Sequence, residues 1–157
     1  MHELKLESII RVYENLQELS IADQTLVQSA KDATKQAYAP YSKFFVGAAL
    51  LLESGEIITG SNQENAAYPS GLCAERVAFF SAGHQHKGKQ ILAVAIAVVS
   101  EEHRVAEPVI PCGACMQVMS EFQRIQQLPI RILLNGNNGK TYNCESLQTL
   151  MPLQFRL

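Results

Sequence analysis

The sequence lacks an excess of positive charge. Thirteen Lys and Arg stand against fifteen Asp and Glu, a net charge of −2. A phosphate backbone needs a basic face, so the balance argues against nucleic acid as the main partner. Long apolar runs are also missing. The longest, Ile91 to Val99, is nine residues, far short of a membrane span. The opening MHELKLESII has no basic-then-apolar leader pattern. There is no internal repeat, linker or low-complexity tract. Cysteine is sparse, at four residues. Without a secretory pattern, these cysteines point to a reducing, cytoplasmic compartment and to metal binding rather than disulfides. What is present suits one compact domain: 157 residues, 47% hydrophobic and 18% charged.

Taken in order, Leu4, Leu6, Ile10 and Val12 share one parity, with Lys5, Glu7 and Arg11 on the other, which predicts an N-terminal strand. Ser20 followed by Asp23 resembles a capping box and opens a helix to about Tyr38. Phe44 to Leu52 (FFVGAALLL) is a strand, and Gly47 inside it marks a close approach of backbone or ligand. Ser54-Gly55 turns the chain into a second strand, Glu56 to Ser61. A helix from Cys73 to about Gly83 buries Ala74, Val77, Ala78 and Phe80 and stops at its glycine. His84 to Lys89 (HQHKGK) is a solvated connection, so His84 and His86 are read as loop residues.

Ile91 to Ser100 is apolar throughout and is the candidate central strand, covered on both faces. A charged loop fills 101–107. A helix starts at Cys112 and ends near Gln127, before Pro129. Ile130 to Leu134, a turn at Asn135 to Gly139 and Lys140 to Cys144 form the last strands. Cys144 reads as a small buried hydrophobe. This order predicts an α/β fold: a three-layer α-β-α sandwich with a mixed, roughly five-stranded sheet and helices on both faces.

Two motifs carry the chemistry. Asn62 to Arg76 reads NQENAAYPSGLCAER, and Pro111 to Cys115 reads PCGAC. Cys112 and Cys115 are three apart, so at the start of a helix they lie one above the other. Helix N-termini also favour thiolates. Residues i and i+2 of a helix do not face each other. Cys73 is therefore expected at a loop-to-helix boundary, where it and Glu75 can both point at one ion. Three thiolates suit zinc. A structural zinc site closes with a fourth protein ligand, whereas a catalytic one keeps that position open. No nearby residue offers a fourth ligand, so water is expected there. Bound zinc lowers the pKa of water toward about 7, and Glu75 is the natural proton carrier.

The motifs AYAPYSKFFVGAAL, NQENAAYPSGLCAER and PCGAC, in this order, resemble the small homotetrameric cytidine deaminases from roughly Ala30 to the end. The first twenty residues form an extension outside that core. The resemblance implies one zinc per subunit on Cys73, Cys112 and Cys115, with Glu75 as the catalytic proton shuttle. It implies that Asn62 and Glu64 bond the sugar, notably its 3′-hydroxyl, and that Phe44 packs on the nucleoside. Arg76 would offset the charge of the thiolates. Phe155 would extend into a neighbouring subunit's site. The implied reaction is hydrolysis of cytidine and deoxycytidine to uridine and deoxyuridine with release of ammonia, a step of pyrimidine salvage. The substrate is a small nucleoside, with no nucleic acid or membrane partner. One departure stands out: the family's usual arginine after PCxxC is Met116 here.

Composition alone supports blander readings. Asn62 could be a turn residue, Glu64 a surface charge, Phe44 core, and Arg76 an exposed helix residue. The closest rival enzyme is a blasticidin-type deaminase, which shares the three cysteines and the glutamate. Asn62, Asn65 and Arg76 argue against it. A strand-editing deaminase would need a basic groove, and a non-catalytic zinc module would have no use for Glu75.

Overall fold

The structure is a computed structural model that describes residues 1–100, 102, 105 and 107–155. The charged loop expected over 101–107 lies mostly outside the described residues. Among the described residues six strands form one sheet: β1 (Arg11–Tyr13), β2 (Phe44–Leu52), β3 (Ile57–Ser61), β4 (Ile91–Ser100), β5 (Arg131–Asn135) and β6 (Thr141–Cys144). Their spatial order is β1-β6-β5-β4-β2-β3. Only β4 and β5 are parallel; the other neighbours are antiparallel. The helices are α1 (Ile21–Ala33), α2 (Ala74–Gln85) and α3 (Gly113–Gln126).

Strand parity sorts the core into two layers. Ala48, Leu50, Val94, Ile96, Ile132 and Leu134 face α2 and α3. Ala49, Ala93, Ala95, Ala97 and Leu133 face α1. The three-layer sandwich is as expected, with six strands rather than five because β1 adds to the edge at β6. Two glycines let the helices sit close. A Cβ on Gly47 would lie 2.0 Å from the Ala30 carbonyl oxygen of α1, and one on Gly60 would lie 2.6 Å from that of Ala74 in α2. The close approach at Gly47 is therefore backbone, not ligand.

Some sequence expectations are corrected. The N-terminal strand is three residues long, and 1–10 form no secondary structure. The alternation from Leu4 onward exists, but no neighbouring strand pairs with it among the described residues. α2 continues past Gly83 to Gln85, so Gly83 is no stop. Its missing side chain admits the ring of Phe122, which a Cβ would meet at 3.0 Å. Phe79, not Phe80, is buried; Phe80 is 47% exposed. His84 lies inside α2, and His86 caps it beside Glu56, Nδ1 to Oε2 at 3.4 Å. Cys144 is fully buried, and burial pushes its thiol up to about 11.

Candidate active site

The metal motifs meet where α2 and α3 begin. Cys73 is the N-cap of α2 and Cys112 the N-cap of α3, both with extended backbone. Cys115 sits in the first turn of α3. The non-helical backbone at Cys73 is what lets it share a site with Glu75, two residues on. The sulfurs of Cys73 and Cys112 are 4.0 Å apart, and those of Cys112 and Cys115 are 3.5 Å apart. All three lie within 4.8 Å of one another. A tetrahedral zinc with Zn–S bonds of roughly 2.3 Å needs sulfurs about 3.8 Å apart, so the spacing fits.

The electrostatics point the same way. The Cys73 thiol is lowered to about 5, first by the hydrogen bond from the Cys115 thiol and also by Arg76, whose Nη2 stands 3.7 Å from the sulfur. The same contact with Cys73, together with burial, pushes the Cys115 thiol up. The cluster thus takes one negative charge readily and resists a second. A dication is what allows all three sulfurs to ionise. Both helix N-termini and Arg76 supply further positive field.

Glu75 is buried, 5% exposed, on the first turn of α2. Burial raises its pKa, and the negative charge of Cys73 adds to the rise, although its own backbone N–H and the Cys115 thiol bond to it. A carboxyl raised in this way is better suited to exchanging a proton than an ordinary surface glutamate.

A cavity of about 490 Å³ opens beside the cluster. Asn62, Glu64, Cys73 and Arg76 line it, with Tyr41, Ser42 and Tyr68 at its edge. The loop between β3 and α2 is held in place by paired backbone bonds between Gln63 and Leu72, at 2.9 Å each way. Burial works against ionisation of Glu64, but the Ser42 hydroxyl and the N–H groups of Tyr41 and Ser42 outweigh it and hold the carboxyl below its ordinary value. The Asn62 side chain is largely committed. Its Oδ1 accepts from the Val46 N–H at 2.8 Å, and its Nδ2 donates to the Phe44 carbonyl at 2.9 Å. It clamps the start of β2 and retains one N–H for a ligand.

Five expected site residues do not line this cavity: Cys112, Cys115, Glu75, Phe44 and Phe155. Cys112 and Cys115 stand behind Cys73 in the sulfur cluster, and Glu75 is buried two residues from Cys73. Phe44 is half-buried on β2. Phe155 is 68% exposed on the C-terminal tail, with its carbonyl accepting from Gln117 Nε2 at 3.3 Å. Met116, in place of the family's arginine, packs partly buried against the core. Sequence reasoning missed Tyr41, Ser42 and Tyr68. The Pro40-Tyr41-Ser42 run before β2 was the available signal, since proline and serine mark a turn that can present backbone N–H groups.

Three clustered thiols at two helix N-termini, beside a buried carboxyl and an open pocket, define the class of zinc-dependent hydrolytic deaminases. The description "Cytidine and deoxycytidylate deaminase zinc-binding region" matches residues 20–131, and the chain belongs to this family. The chain is 51% identical over 99 residues to a cytidine deaminase of Halalkalibacterium halodurans, covering 63% of this chain and 70% of that one. It is 30% identical over 139 residues to a blasticidin-S deaminase of Bacillus cereus, covering 87% and 94%. Its fold matches the crystal structure of a Burkholderia pseudomallei cytidine deaminase with a TM-score of 0.71 and 36% identity, over 83% of this chain and 97% of that one.

Proposed function

We propose that this protein, as one domain over residues 1–157, hydrolytically deaminates cytidine and deoxycytidine with one zinc per subunit. The observation that carries the reading is the sulfur triad at the two helix N-termini with Glu75 buried beside it. Cys73, Cys112 and Cys115 hold the zinc, which supplies acidified water when bound. Glu75 accepts the proton of the attacking water and delivers it to ring N3 as oxygen adds at C4. It then takes the remaining proton from the new C4 hydroxyl and passes it to the exocyclic amino group; the C4–N bond breaks, ammonia leaves and the C4 carbonyl forms. Arg76 moderates the charge of three thiolates on a dication. Glu64 and the remaining N–H of Asn62 receive the sugar, and Phe44 backs the nucleoside.

The assembly is a cytoplasmic homotetramer. The exposed Phe155 ring supports this reading, because the tail that carries it is tied to α3, the helix bearing two of the thiolates. No helix among the described residues is long and apolar enough to cross a membrane.

Ultraviolet absorbance of zinc-loaded protein mixed with cytidine, deoxycytidine or blasticidin S tests the reading. Conversion of both nucleosides, with slower loss of blasticidin S, is expected. Preferential loss of blasticidin S would move the substrate to the rival class. No change in any of the three at full zinc occupancy would overturn the reaction.

A further inference from the structure

The Pro40–Phe44 turn between α1 and β2 is built around one carboxylate. The backbone N–H groups of Tyr41 and Ser42 both donate to Glu64 Oε2, at 3.0 and 3.3 Å. The Ser42 hydroxyl donates to Oε1 of the same group. An ionised carboxylate cannot donate in return, so the serine proton is committed to it. The Ser42 oxygen in turn accepts from the Phe44 N–H at 3.1 Å. The hydroxyl is thus held from behind and aimed at Glu64.

The backbone shows the cost of this arrangement. Lys43 adopts φ of 51°, in the left-handed region that non-glycine residues rarely occupy. Such a conformation persists only where the surroundings over-determine it. Here the Lys43 N–H donates to the Ala39 carbonyl at 3.2 Å, and the Ser100 hydroxyl donates to the Lys43 carbonyl at 3.3 Å. Just beyond, Asn62 clamps the backbone of Phe44 and Val46. The turn is fixed at both ends.

A carboxylate offers about four lone-pair directions. Three are occupied by the turn, which leaves one, on Oε1, and Glu64 lines the cavity. We propose that Ser42, aimed by the left-handed Lys43, is a positioning residue that holds Glu64 as an ionised acceptor for a single sugar hydroxyl, and so sets the preference for a 3′-hydroxyl nucleoside. This rests on the reading that Glu64 binds the sugar. Ser42 acts through Glu64; without it the carboxylate loses a charge-assisted bond and is free to leave the orientation that meets the sugar.

The test compares kcat/KM for cytidine and 3′-deoxycytidine in the zinc-loaded wild type and in Ser42→Ala, Ser42→Thr and Glu64→Gln. Ser42→Ala is expected to reduce the preference for cytidine roughly tenfold, through KM for cytidine with kcat retained, and Ser42→Thr to restore it. If Ser42→Ala lowers both substrates equally, the serine is merely structural and the proposal fails. If it leaves the preference intact while Glu64→Gln abolishes it, Glu64 reads the sugar unaided and only the positioning role falls. If Glu64→Gln also leaves the preference intact, the sugar-binding reading of Glu64 falls too.

Discussion

The site holds two glutamates, one buried beside the cysteines and one lining the cavity, and the two are treated in opposite ways. Glu75 is buried and sits beside Cys73, and both effects raise its pKa. Three donors from one turn hold Glu64 below its ordinary value. The residue type is the same, but the surroundings favour the neutral form of one group and the charged form of the other. Burial with few donors makes an acid–base group, whereas partial exposure with many donors makes a fixed acceptor.

The comparison can be broken from below by removing the metal. Cys112→Ser is expected to abolish zinc binding and all turnover, measured by metal content and by the cytidine assay. Retained zinc would mean that the triad is not the ligand set. The next largest effect belongs to the buried glutamate. Glu75→Gln should lower kcat by roughly a hundredfold to ten-thousandfold while zinc stays bound. If zinc were lost with activity, Glu75 would be part of the metal site's framework and the contrast with Glu64 would disappear.

The cavity glutamate should respond in binding alone. Glu64→Gln is expected to raise KM for cytidine roughly tenfold with kcat nearly constant. An equal fall in kcat would show that Glu64 takes part in the chemistry.

The smallest expected effect comes from a third carboxylate on the α1 face. Burial disfavours ionisation of Asp23, but Arg131 and the N-cap Ser20 outweigh it, so its pKa lies below the ordinary value. Arg131 grips both its oxygens, at 2.9 and 2.5 Å. A lowered folded-state pKa contributes stability above the unfolded value, and that contribution is lost as pH falls below about 4. Asp23→Asn should therefore cost about 2 kcal/mol at pH 7 and measurably less at pH 3, by urea unfolding, with kinetics unchanged. A constant cost at both pH values would mean that packing, not charge, accounts for the pair.

Legibility in the sequence followed how local each determinant was. Phe44–Leu52 and Ile91–Ser100 were readable to the residue, because strands covered on both faces are apolar throughout. The N-terminal alternation was over-read, because pattern alone does not supply a pairing neighbour. The α2 face was read one position off, at Phe80 instead of Phe79, because the helix starts after its N-cap cysteine and its apolar pattern is weak. Gly83 looked like a stop because its use, contact with the Phe122 ring, involves a residue 39 positions away.

By itself, the sequence determined the thiolate set, the adjacent carboxyl and the alternation of helices and strands. These depend on residue type at short spacing, and the chain carries that information locally. Only the tertiary structure decided that two helix N-termini converge on one point, that Glu75 is buried beside the cysteines while Glu64 lines the cavity, and that Tyr41 and Ser42 bond Glu64. Those facts depend on burial and on donors from distant segments, which exist only once β2 and β3 are paired and α2 is packed against them.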